Sequence, residues 1–375
     1  MSDALARDQR EAESTDSDQA LIVRRRSRDE QDYRDWCEGS YETVRLGQEE
    51  FHPADVFDRL APDAARRGRD EASAQARADL EQTVCEHFPA PIAVPFHGFL
   101  EGPRQPLQRL HRLRDAWESL VRLLAALALS EAARSVSSLA PLIIREGRDQ
   151  RWRTCKARDL RTDKLAIRIG LIEGVVRQAQ EVGVGLQVAS LVPIELIAEI
   201  RRLNVVRNGF SHEATKSDAQ ANAIIDEAYP MVREILLDLR DMQNVELFRI
   251  PSIQAGGRVE VEKLTGHAQS RRIHEEVFDS EAAALALSAA PVDGMSRVLA
   301  RARGVALDLS PFLYADDDDT GHRTRIFQYK GNKGGKWQME CVADSTTKTS
   351  PAAQHETLLE PFEKLFGRSR EGRDD

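Results

Sequence analysis

Cysteine is scarce in this chain, with only Cys37, Cys85, Cys155 and Cys341 among 375 residues. They lie far apart and form no CxxC or Cys/His cluster. That excludes a zinc site of the usual spacing and leaves free thiols in a reducing cytoplasm as the expectation. Long apolar runs are missing as well. The longest, Leu120 to Leu129, is broken by Arg122 and falls short of the roughly 18 residues that a membrane span requires. Residues 1–18 are polar and acidic, without the apolar segment of a secretory signal. Nor is there an excess of positive charge: 53 Lys and Arg stand against 62 Asp and Glu, for a net charge of −9. Any contact with nucleic acid must then come from a local basic patch. Lysine is rare, 9 residues against 44 Arg, a skew that fits the coding of a GC-rich bacterial genome. What is present is ordinary for a chain with a core, 41% hydrophobic and 31% charged.

The length suggests several domains. Residues 1–31 read as a disordered leader. Residues 32–100 form an accessory region with an aromatic cluster (Tyr33, Trp36, Tyr41) and a charged helix over 61–86. The run Pro89-Ala90-Pro91-Ile92-Ala93-Val94-Pro95 reads as a non-helical boundary, because proline removes donors and restrains the residue before it.

Residues 101–244 carry four helical patterns. From Pro106 to Ala133 an apolar stripe runs through Leu110, Leu113, Trp117, Leu120, Leu124 and Leu127. A second helix is expected over Lys164–Val182. A third runs from Pro193 to about Asn208, and a fourth from Ser217, whose Gln220 completes a capping-box pattern. The fourth contains Pro230, which should kink it. Together they predict an antiparallel four-helix bundle. Residues 245–366 read as an α+β domain, with strands over 245–250, 258–264, 305–309, 324–330 and 336–343 and a helix over 279–289. Residues 331–335 predict a hairpin loop, and residues 367–375 a disordered tail. The fold class expected is therefore mainly α, a helical bundle with an additional C-terminal α+β domain.

The informative segment is Arg207-Asn208-Gly209-Phe210-Ser211-His212, between the third and fourth helices. Arg and His with four to six residues between them occur three times, from Arg45 to His52, from Arg104 to His111 and here. Only the third has Asn directly after the Arg, although the chain holds just five Asn, and only it joins two long helices. In these features the segment over about Pro103–Met242 resembles the HEPN superfamily, helical bundles of which many are ribonucleases.

The residue types suit the chemistry. Cleaving RNA without a metal requires a group to take the 2′-OH proton, a group to protonate the leaving oxygen, and cations beside the charged phosphorane. Imidazole transfers protons near neutrality, and guanidinium matches phosphate oxygens. Asn208 can hold either in register. On an unbroken helix Arg207 and His212 would lie about 140° apart, so a turn is expected at Gly209, a natural left-handed cap. The resemblance implies that two protomers bring both Arg/His pairs to one cleft and that cleavage leaves a 2′,3′-cyclic phosphate. It implies no metal and no cofactor. It also implies a toxin or antiphage role, with defence-system proteins as further partners. Two other readings stay open: a scaffold or RNA- or nucleotide-binding subunit that does not cut, and a structural pair in which Arg207 caps the helix end and His212 bonds a loop carbonyl.

A second basic feature lies in residues 145–168, where nine basic and four acidic side chains surround Trp152. Arg151, Trp152, Arg153, Lys156 and Arg158 are the candidate RNA contacts, with a solvated interhelix loop as the alternative. Glu118 could orient Arg207 or His212, or be a boundary carboxylate. Asp316 to Asp319 reads as a solvated loop, lacking the spaced ligands of a calcium site.

Overall fold

The computed structural model describes residues 2–146, 151–211, 217–253, 259–268, 273–276, 285, 291–292, 294–351 and 353–366. Two compact units divide the chain, residues 1–83 and 84–375. The first holds helix α1 (Ser2–Ser40), a hairpin of β1 (Val44–Leu46) and β2 (Glu49–Phe51), α2 (Pro53–Leu60) and most of α3 (Pro62–His87). Residues expected to be a disordered leader thus form the start of a 39-residue helix. Tyr33, Cys37, Ala54, Ala65 and Ala72 make the core of this unit, with Trp36 and Phe57 against it. The aromatic cluster seen in the sequence is therefore where α1 meets its neighbours. Arg69 lies over the Tyr33 ring at 4.2 Å and pairs with Asp58 through two bonds of 2.8 Å.

The second unit continues with α4 (Ala90–Leu100), α5 (Pro106–Arg134) and the short α6 (Val136–Leu139). A hairpin of β3 (Ile143–Glu146) and β4 (Arg151–Thr154) follows, then the single turn α7 (Ala157–Leu160). Next come α8 (Leu165–Val182), α9 (Leu196–Ser211) and α10 (Asp218–Asp238). The remainder is mostly strand: β5 (Glu246–Ile253), β6 (Val259–Lys263), β7 (Ile273–Glu276), β8 (Ser296–Arg297), β9 (Leu299–Ala302) and β10 (Val305–Asp308). Then β11 (Leu313–Asp317), β12 (Thr324–Lys333), β13 (Lys336–Cys341) and β14 (Thr347–Pro351) lead to α11 (Ala353–Glu363). One five-stranded sheet has the order β10-β9-β5-β6-β7 and the other β14-β13-β12-β11-β8, with antiparallel neighbours throughout.

The mainly α reading is overturned. Four antiparallel sheets are present among the described residues, and the helical segment and the later strands share one unit. The physical reason lies in α5. Its predicted stripe is buried, but so is nearly every side chain from Ala116 to Ala132. This helix packs against α4, α8 and α10, and also against β10, β12 and α11. It is a central element with sheet against it, not a bundle helix with one wet face.

α4 corrects a second expectation, since residues 90–95 are helical. Pro91 sits in the first turn, where no N–H partner is needed. Pro95 cannot donate to the carbonyl of Pro91, and the Ser119 hydroxyl of α5 donates to that oxygen instead. The capping box at Ser217 is as read, with Gln220 N donating to Ser217 Oγ at 3.2 Å and Ser217 N to Gln220 Oε1 at 2.9 Å. Between β12 and β13 the turn falls at Gly334 and Gly335, both with positive φ. The helix expected over 279–289 lies, apart from Leu285, outside the described residues. The same holds for the tail from 367.

Two buried arrangements tie the elements of the second unit. Arg249 on β5 donates to Glu262 on β6 at 2.8 Å and reaches across to Thr324 on β12 at 3.1 Å and to Asp317 on β11, joining the two large sheets. The β3 backbone lies directly on α8, because Gly170 and Gly174 carry no side chain there. A Cβ at Gly174 would stand 2.4 Å from the Ile143 carbonyl oxygen. Gly174→Ala should therefore destabilise the protein by about 2 kcal/mol, although alanine favours a helix by roughly 1 kcal/mol. Urea unfolding reads this directly, and equal or greater stability of the variant would refute the close approach.

Candidate functional site

Arg207 lies near the end of α9, where the Ile200/Leu203/Asn204 face is buried and Arg202, Val205 and Gly209 are exposed. Its side chain is turned toward α5. Nε donates to Glu118 Oε1 at 3.0 Å, Nη2 donates to the same oxygen, and Nη1 donates to Asn208 Oδ1 at 3.0 Å. The guanidinium is 22% exposed and the Glu118 carboxylate 11%, so the pair stands at the rim of the interior. Asn208 Oδ1 accepts from Arg207, and its amide N–H groups are the ones that can donate to a phosphate. His212, the third candidate, lies outside the described residues.

Gly209 corrects the expected turn. α9 continues through it to Ser211, and Gly209 is not among the glycines with positive φ. The chain reaches Ser211 still helical, and description resumes at Ser217.

Glu118 is the residue that most exceeds its sequence reading. One oxygen serves Arg207, and the other accepts from Arg122 Nη2 at 2.8 Å. Arg114 stands 3.9 Å from the first and is itself paired with Asp115 at 2.7 Å. Arg122 Nη1 continues to Glu340 Oε2 on β13 at 2.7 Å, and Lys330 Nζ on β12 meets Glu340 Oε1 at 2.6 Å. Burial opposes ionisation of Glu340, yet Arg122 and Lys330 outweigh it and hold the carboxyl below the usual carboxylate range.

The basic segment is a hairpin, not a loop. β3 and β4 pair Arg145 with Trp152 across the ladder. Trp152 is 39% exposed, and the guanidinium groups of Arg145 and Arg177 lie 4.6 and 5.1 Å from its ring centre. Trp152 therefore already stacks with two cations. Arg153 is bound to Asp159 by two bonds of 2.6 and 2.8 Å, and Lys156 N donates to the same carboxylate at 2.7 Å. These two residues hold the turn after the hairpin, whereas Arg151 and Arg158 are exposed. Arg145 approaches Glu173 at 3.5 Å, and Arg201 of α9 pairs with the same carboxylate. The hairpin is thus linked through Glu173 to the helix that carries Arg207.

Comparison with protein-family models, with curated proteins and with solved structures finds no match.

Other polar groups serve packing. Tyr314 Oη, His355 and Ser350 Oγ form a chain of 3.1 and 2.6 Å hydrogen bonds that resembles a nucleophile with its base. His355 is 0% exposed and stacked on Trp337, so this chain is sealed from substrate. A cavity of about 820 Å³ is lined by residues including Cys85, His87, Glu246, Lys263, His267 and His274. His267 stacks on His97 at 3.9 Å, with rings 7° from parallel. No sequence motif marked this cavity, because its residues come from three distant segments. In the acidic run, Asp316 pairs with Lys348 and Asp317 with Arg249, while Asp318 accepts from Thr320, His322 and Arg323 in a turn. No helix among the described residues is long and apolar enough to cross a membrane.

Proposed function

We propose that the protein is a metal-independent endoribonuclease of HEPN type, acting in the cytoplasm as a toxin or antiphage effector. The observation that carries the reading is the anchoring of Arg207. Its guanidinium is fixed edge-on by Glu118 and flanked by Asn208, five residues before His212 in the sequence. A preorganised cation is what the developing charge of phosphoryl transfer to a 2′ oxygen requires. In the reaction a base takes the 2′-OH proton, O2′ bonds to phosphorus and the bond to the 5′ oxygen breaks. That oxygen leaves with a proton, and a 2′,3′-cyclic phosphate remains. His212 is assigned the proton transfers and Arg207 the phosphorane charge. Two protomers would supply two such pairs to one cleft. The exposed Arg151 and Arg158, with Trp152 between its two arginines, are assigned to the RNA backbone.

One observation favours a second reading. Glu118 and Asn208 already occupy Nε, Nη2 and Nη1 of Arg207, as they would in a non-catalytic scaffold or RNA-binding subunit of a defence complex. Total RNA and tRNA incubated with the full chain in EDTA separate the two. On the enzyme reading the wild type cleaves, and Arg207→Ala and His212→Ala each lose at least about 10³-fold in rate. Cleavage surviving both substitutions would discard the assigned residues. RNA bound but left intact by the homogeneous chain would favour the second reading.

A further inference from the structure

We propose that Glu340, on the C-terminal sheet, is a positioning residue for Arg207; the idea rests on the ribonuclease reading and says how that site is held. A line of alternating charges leads from the site into the sheet. Arg207 on α9 meets Glu118 on α5, Glu118 meets Arg122 one turn further along, Arg122 meets Glu340 on β13, and Glu340 meets Lys330 on β12. Each carboxylate gives one oxygen to one neighbour and its second oxygen to the other. The middle of the line is nearly dry, with the Arg122 side chain 8% exposed, so the charges act on one another with little screening.

Removing the charge of Glu340 changes two things in opposite directions. Arg122 keeps one carboxylate instead of two and draws harder on Glu118, which loosens its hold on Arg207. The cluster, with Arg114, Arg122, Arg207 and Lys330 against Asp115, Glu118 and Glu340, goes from one excess positive charge to two. A less ordered Arg207 lowers turnover, while the added charge tightens the grip on a phosphate backbone. A merely structural role would lower the active fraction and leave KM where it was. The C-terminal strands on this view are part of the site's framework.

The test uses the full chain carrying Glu340→Gln, with Glu340→Asp as the conservative partner. On single-stranded RNA at low salt, Glu340→Gln should lower kcat about tenfold and KM about threefold, and Glu340→Asp should recover most of kcat. A readout that needs no catalysis runs beside it, the exchange of the Arg207 Nε–H with water followed by nitrogen-15 NMR. This proton, bonded to Glu118, should exchange slowly in the wild type and at least about fivefold faster in Glu340→Gln. Faster exchange with no cleavage by any form would sink the ribonuclease reading and keep the coupling. Unchanged exchange in a folded Glu340→Gln protein, or kcat falling with KM unchanged as partial unfolding would give, would overturn the proposal while leaving a cleaving enzyme in place.

Discussion

Glu118→Ala should cost about 4 kcal/mol of stability, the scale expected when a buried ion pair loses one partner. The residue is a shared anion. Without it Arg207 loses the acceptor of both Nε and Nη2, and Arg122, almost wholly enclosed, is left with Glu340 alone. Two guanidinium groups would then face each other across the space the carboxylate filled. Glu118→Gln keeps the shape and one acceptor but not the charge, so about half the loss is expected for it. Urea unfolding followed by tryptophan fluorescence suits the measurement, since Trp117 is adjacent on α5 and 2% exposed. A loss below about 1 kcal/mol in Glu118→Ala would mean that the pair behaves as a solvated surface bridge. Under the ribonuclease reading the same two variants should also lose most cleavage, because the guanidinium is no longer fixed.

The helices around Arg207 were legible because each repeats its apolar residues over many turns. The limits read for the second helix, Lys164–Val182, and the start read for the fourth, Ser217, lie within a residue of those of α8 and of the start of α10. The longest strands, β5, β12 and β13, were legible, as were β6 and the four-residue β10. The two-residue β8 and the four-residue β3, β4, β7 and β9 are too short for a period of two to stand out reliably, and the five-residue β11 and β14 also passed unread. That is why a mixed unit read as mainly α. Proline misled in α4, because a sequence does not show that another helix will offer a hydroxyl to the carbonyl it leaves free. Glycine misled in the reverse sense, since Gly209 is an ordinary helical residue while Gly170 and Gly174, which passed unnoticed, set the seat of the hairpin.

Glu118 was one of the residues read as able to orient Arg207, and its surroundings favour that alternative. From Ala116 to Ala132 the only charged residues are Glu118, Arg122 and Glu131. A charge in so apolar a stretch must be paired or bound. The spacing of four between Glu118 and Arg122 already marks one pair within the interior of the helix. What no local pattern can supply is the next link, because Glu340 lies 218 residues further along the chain.

Glu131, the last of those three charges, should prove about as sensitive as Glu118. Its carboxylate is 5% exposed and receives four hydrogen bonds from three successive backbone N–H groups. Gln187 donates at 2.5 Å, Val188 at 2.9 and 3.1 Å, and Ala189 at 2.7 Å. These groups open the 3-10 turn at Ala189–Leu191 and cradle the anion as a nest. Glu131→Ala strands three donors where little water reaches, and at 1–3 kcal/mol for each unmade bond, with partial relaxation, a loss of about 4 kcal/mol follows. Glu131→Gln keeps one oxygen but turns an amide donor toward donors, so about 2 kcal/mol is expected. For a unit of this size that places the melting temperature of the alanine variant about 10 °C below wild type. Calorimetry would show it, and an unchanged melting temperature would mean that solvent satisfies those N–H groups. Because the turn joins α8 to the approach of α9, hydrogen exchange in Glu131→Ala should rise first at Gln187–Ala189 and then along α9 toward Arg207. Exchange confined to the turn would show that α9 is held by α8 and α10 without it.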